Sequence, residues 1–161
     1  MAIFHSLLAI LEESLLSHQA LLKLSDEKRD ALINGDATEL RSITVREAAI
    51  IEKIQELEGR REQLVCDYLS LKGLNAESFT LDKIMEQEEN LVMKEKLNRT
   101  AKKLRETIAD LSRVNEHNQK LIHTSLSYLQ YSIGLFARKE QTVGYGPNAV
   151  NRYSNLLDAK I

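Results

Sequence analysis

Three long stretches of the chain repeat apolar residues at alternating spacings of three and four, which keeps one face of an α-helix apolar. The first runs from Ile3 to Ile33, with Leu8, Leu11, Leu15, His18, Leu22, Ser25, Arg29 and Leu32 as its seam, widened by Leu7, Leu21 and Ala31. Asn34-Gly35-Asp36 ends it: Gly35 suits the left-handed position after a helix, and Asp36 or Thr38 can cap the next one. The second stretch, 38–72, keeps the period through Leu40, Ile43, Glu47, Ile50, Ile54, Leu57, Arg61, Leu64, Tyr68 and Leu71. Glu47 and Arg61 are expected at the seam's edge, stems packed and charges in water. Gly73 closes this helix, and Ser78 or Thr80 caps a third over 80–138. Its beginning is irregular. Glu86-Gln87-Glu88-Glu89-Asn90 predicts a short turn, a kink or a register shift, with the acidic cluster forming a solvated face. From Leu97 the period is regular through Ala101, Leu104, Ile108, Leu111, Asn115, Asn118, Ile122, Ser125, Leu129, Ser132 and Phe136.

Helices joined by short links are antiparallel neighbours. The expected architecture is therefore all-α: an elongated antiparallel three-helix bundle or coiled coil over 1–140, with an over-long third helix and a flexible tail over 141–161. At 1.5 Å per residue the first two helices measure roughly 50 Å, and the third exceeds them by roughly 25 to 40 Å. The excess is expected to project past the bundle from about Asn115 to Gln119 onward. Asn115 and Asn118, at that margin, are expected to be half exposed, although a buried seam Asn commonly fixes register.

What projects is Leu121 to Ala137, LIHTSLSYLQYSIGLFA, which contains no Asp, Glu, Lys or Arg. Leu121, Ile122, Leu126, Tyr128, Leu129, Tyr131, Ile133, Leu135 and Phe136 fall on more than one stripe of the helix. A soluble monomer does not leave so wide an apolar face uncovered. The tail folds back, the chain self-associates as a homodimer or adaptor coiled coil, or a partner binds. Anchors at i, i+3, i+4 and i+7 fit a helix-in-groove partner, with Tyr128, Tyr131 and Phe136 as candidate hot spots.

Composition narrows the alternatives. The 161 residues suffice for one domain, and 22 basic against 24 acidic residues, well mixed, leave no footprint for nucleic acid. The lone Cys66 rules out an intramolecular disulfide and suits a reducing compartment. The first residues meet Glu12 and Glu13 too early for a secretory signal, and 121–137 is too short and polar to insert in a membrane. Phosphate-binding glycine motifs, HExxH and GxSxG are absent. A di-iron bundle needs Glu three residues before a ligating His, but Leu15, Val114 and Lys120 precede His18, His117 and His123. His18 reads as a packed, hydrogen-bonded histidine. No catalytic, cofactor or metal residues emerge, and a non-enzymatic protein is expected.

The chain resembles the FlgN family of flagellar export chaperones. The resemblance rests on Glu27-Lys28-Arg29-Asp30-Ala31-Leu32-Ile33-Asn34-Gly35-Asp36, then Leu40, Glu47 and Leu57-Glu58-Gly59-Arg60-Arg61, then Asn115-Glu116-His117-Asn118-Gln119-Lys120-Leu121-Ile122. It implies a small cytoplasmic helical chaperone without ATPase activity. Such a protein holds the hook–filament junction proteins FlgK and FlgL by their C-terminal helices and delivers them to the export gate component FlhA. It also implies a cargo site toward the C-terminus, in agreement with Leu121, Ile122, Leu126, Tyr128, Leu129, Tyr131, Ile133 and Phe136. A tail tyrosine is implicated in gate docking: Tyr145 first, Tyr153 second. A FliT-like chaperone for a different flagellar cargo is the related alternative.

Overall fold

The computed structural model describes residues 2–75, 77 and 79–141, and all regular structure among them is helical. Four helices follow in order: α1 (Ala2–Asn34), α2 (Ala37–Leu71), α3 (Leu81–Glu86) and α4 (Leu91–Gln141). The chain divides into two compact units, residues 1–118 and 119–161. The tail with Tyr145 and Tyr153 lies outside the described residues, as does Ser78.

The helix ends follow from local chemistry. Gly35 (φ +67°) ends α1 while the amides of Gly35 and Asp36 bond back to Leu32 and Ala31. This satisfies carbonyls that the last turn would otherwise leave open. Asp36 then caps α2, its carboxylate accepting from the Glu39 amide at 3.0 Å. Gly73 (φ +67°) repeats the device after α2, with the Leu74 amide donating to Leu69 at 2.9 Å. Thr80 caps α3 by accepting from the Lys83 amide.

The irregular acidic stretch is a true break between α3 and α4, but it is not wholly solvated. Glu88 is only 4% exposed. Its carboxylate accepts from the Asn90 amide at 2.9 Å, and the Asn90 side chain accepts from the Val92 and Met93 amides. Burial follows from this use: the acid braces the residue that caps α4, so it turns inward while Glu86 and Glu89 stay exposed.

In the first unit α1 and α2 pair antiparallel. Lys28 meets Glu47 at 3.2 Å, Arg60 meets Glu13 at 3.9 Å, and the Phe4 and Tyr68 rings lie edge to face at 5.8 Å. A core of Phe4, Leu7, Leu11, Leu69, Ile84, Met85, Met93, Leu97 and Ala101 joins all four helices at one end. The α2 seam is as expected from Leu40 to Tyr68, with Ile43 and Leu57 fully buried. Glu47 and Arg61 sit at its edge, each in an ion pair. The Arg61 guanidinium, hydrogen-bonded to Glu58, holds that carboxyl below the usual carboxylate range.

Two details depart from the expected seams. In α1 the seam residues Leu11 and Ser25 are among the deepest, together with Leu7, but Leu21, Leu24 and Ala31 are buried where Leu8, Leu22 and Leu32 are only half-buried and Arg29 is exposed. The cause is that α1 packs on more than one helix, so its centre of burial falls between two seams. At the end of α2, Leu69 is buried and Leu71 is 89% exposed, the two residues lying about 200° apart around the helix.

Leu97 has 0% exposure, and its truncation to Ala leaves a cavity that neighbours from four helices cannot all collapse into. Leu97→Ala is expected to cost about 2–5 kcal/mol in urea denaturation. Leu71→Ala, at an exposed site, is expected to stay within about 0.5 kcal/mol.

Candidate functional site

Helix α4 carries one seam along its length. Leu97, Ala101 and Leu111 are buried, and the period delivers Asn118 to the same face, 3% exposed. The Asn118 Nδ2 donates to the Ser25 carbonyl oxygen at 2.9 Å, and the Ser25 hydroxyl donates to Asn115 Oδ1 at 3.3 Å. Of the two asparagines expected to be half exposed, Asn115 is exposed and Asn118 is buried. The reason for the second is visible: its amide supplies the donor that bonds α4 to the backbone of α1. The other half of that amide, Oδ1, has no hydrogen-bond partner.

Beyond Asn118 the same period continues through Ile122, Leu126, Leu129, Ile133 and Phe136, spaced four and three apart. Here burial ends. Leu121 and Ile122 are half-buried, Leu129 is 54% exposed, and Phe136 is 72% exposed. Leu126, Tyr128, Tyr131, Ile133 and Leu135 are exposed as well. The helix therefore brings all the expected site residues onto one broad surface. At about 100° per residue, Ile122, Leu126, Leu129, Ile133 and Phe136 form one ridge. Leu121, Tyr128, Tyr131 and Leu135 form a second, and Ser125 and Ser132 lie between. His123, Ser127, Gln130 and Gly134 occupy the opposite side. Two apolar ridges flanking a row of small residues make a surface into which another helix's side chains can interdigitate.

The surface is mainly one of packing. Its polar groups are hydroxyls, an amide and an imidazole, and Thr124 is already bonded to the Lys120 carbonyl at 2.9 Å. Among the described residues no group of three or more His, Cys, Asp or Glu side chains is placed to hold a metal. None of the described helices is long and apolar enough to cross a membrane. His18 is half-buried with Nδ1 at 2.7 Å from the Ser14 carbonyl, a packed histidine as expected. In the first unit an open, largely charged depression between α1 and α2 is lined by Glu13, Ala49, Glu52, Lys53, Glu56, Leu57 and Arg60.

A family model described as "FlgN protein" matches residues 1–152. The chain belongs to the FlgN family. Membership makes it a protein of flagellar export, in a family of chaperones rather than enzymes. "Uncharacterized protein YvyG" of Bacillus subtilis (strain 168) is 30% identical over 128 residues, 80% of this chain and 77% of the relative. No solved structure matches the chain.

The sequence marked the apolar segment and placed Asn115 and Asn118 at its border, but it favoured half exposure over the register-fixing burial that Asn118 shows. The signal that could have found it is the Asn115/Asn118 pair falling in phase with Ser25 of the first seam. Asn118→Leu removes a half-satisfied amide and is expected to change stability by less than about 1 kcal/mol. Asn118→Asp buries an unpaired charge and is expected to cost about 3–5 kcal/mol at pH 7. Burial raises that carboxyl's folded-state pKa, so the deficit should shrink as pH falls through it and the acid gains a proton to donate. Denaturant titrations of both variants at pH 7 and pH 5 check this.

Proposed function

We propose that the chain is a cytoplasmic FlgN-type export chaperone whose cargo site is the exposed α4 surface formed by Leu121, Ile122, Leu126, Tyr128, Leu129, Tyr131, Ile133 and Phe136. One observation carries the reading: the α4 seam, buried at Leu97, Ala101, Leu111 and Asn118 although 44% exposed at Ile108, continues in phase and is exposed at Leu126, Leu129, Ile133 and Phe136 alike. A helix seam that is covered over one part of its length is built to be covered over the rest. The cargo consists of the C-terminal helices of the junction proteins FlgK and FlgL, whose own apolar seams lack partners before assembly. Each side covers what the other exposes, so cargo cannot aggregate or assemble early.

Burial contributes roughly 25 cal/mol per Å2 of apolar surface, and ordering two helices offsets much of that. The modest net affinity suits a complex that must come apart at export. Delivery to FlhA is assigned to the tail, with Tyr145 as the docking residue and Tyr153 second.

Leu129→Asp combined with Phe136→Asp places a charge at two points of the main ridge, both exposed enough to leave the helix intact. The double variant should lose binding to a C-terminal fragment of FlgK or FlgL by titration calorimetry while its circular dichroism stays close to wild type. Light scattering after size exclusion should show the wild-type chain converting to a defined heterocomplex with that fragment. A stable homodimer that fails to convert, or a double variant that still binds, would overturn the assignment.

A further inference from the structure

One window of the chain departs from its even mixture of charge. From Lys94 to Arg105 there are six cations, Lys94, Lys96, Arg99, Lys102, Lys103 and Arg105, against the single acid Glu95, in a chain with 22 basic and 24 acidic residues. The window lies near the start of α4 in the first unit, where Met93, Leu97 and Ala101 turn inward. At about 100° per residue, Val92, Lys96, Arg99, Lys102 and Lys103 fall within an arc of about 120° on the opposite side. All five are exposed, Val92 at 65%, and Leu91 at the edge of the arc is 80% exposed.

Local partners use only some of these charges. Arg105 is paired with Asp82 and Arg99 with Glu95, and the Lys94 ammonium donates to the Glu86 carbonyl oxygen at 3.0 Å. Among the described residues Lys96, Lys102 and Lys103 have no acidic partner. The cationic face ends where Glu106 and Asp110 come round to the same side of the helix. From Val92 to Lys103 it is about 17 Å long.

We propose that this face docks on an anionic lipid surface, its four cations over the headgroups and Leu91 and Val92 seated in the interface. The residue types favour lipid over other anionic partners. Three of the four cations are lysines, point charges on flexible stems that can follow a diffuse array of headgroups. Recognition of a folded acidic face favours the fixed fork of arginine instead. A nucleic-acid backbone asks for a longer cationic track than one cut off after Lys103 by two acids. Large apolar side chains exposed beside the cations add interfacial burial that a phosphate backbone does not offer. Binding through so few groups is reversible and weakens with salt.

The test is co-sedimentation of the full chain with vesicles of pure phosphatidylcholine or of phosphatidylcholine with about 30% phosphatidylglycerol, at about 50 mM salt. The chain should bind the anionic vesicles only, and should come off them at about 300 mM salt. Lys96→Glu with Lys102→Glu and Lys103→Glu should lower the partition coefficient roughly a hundredfold while circular dichroism stays close to wild type. Lys23→Glu with Arg41→Glu and Lys53→Glu makes the same change in net charge on α1 and α2, and should keep most of the binding. Leu91→Ser with Val92→Ser should lower it a few-fold. Absent binding, equal binding to both kinds of vesicle, or equal loss in the two triple variants would overturn the proposal. Retention on immobilised polyglutamate but not on anionic vesicles would also overturn it, and would make an acidic protein face the occupant.

Discussion

An apolar seam on a helix is stable in water only where another surface covers it, and α4 meets that condition over part of its length. Between Leu97 and Asn118 its seam is buried at Leu97, Ala101, Leu111 and Asn118, with Ile108 and Asn115 exposed between them. From Leu126 to Phe136 the same period faces solvent. Nothing in the local sequence distinguishes the two halves as helix. Both are regular, both keep spacings of three and four, and one hydrogen-bonded backbone runs through them. What differs is the supply of partner surface.

Keeping the division in place requires that α4 does not slip. A seam of leucines tolerates displacement by a heptad with little loss, because each knob finds a similar hole. The Asn118 bond to the Ser25 carbonyl does not tolerate it, since a shifted helix would bury the amide among apolar groups. At the other end Glu88 and Asn90 fix where α4 begins. A helix with a defined start and a polar anchor 28 residues later (Asn118 counted from Asn90) exposes the same residues in every molecule.

Much of this was legible in the sequence, for identifiable reasons. Glycines at 35 and 73 adopt the positive φ that their position after a helical period implied, and the α2 seam was readable because most of its apolar residues lie on one stripe. The phase of α1 was less legible, since Leu7 and Leu8 or Leu21 and Leu22 are equivalent to a periodicity argument and only the number of packing helices separates them. Glu88 was misread because a cluster of acids looks solvated until one of them is seen bracing a cap. Asn118 was undervalued for a similar reason: its burial depends on a carbonyl 93 positions away in the chain. The apolar segment was legible as an exposed surface because it lacks charge over a length that ordinary surface helices do not.

That lack of charge has a consequence beyond packing. With no Asp, Glu, Lys or Arg from 121 to 137, the surface itself generates little long-range attraction toward a partner. Encounters there proceed at the unsteered rate of about 10⁵–10⁶ M⁻¹s⁻¹ and are nearly indifferent to ionic strength. For a helix that docks there, selectivity would come late, in the fit of knobs against the row of serines, after contact has been made. A surface of this kind samples many helices briefly and retains only those whose shape completes its own.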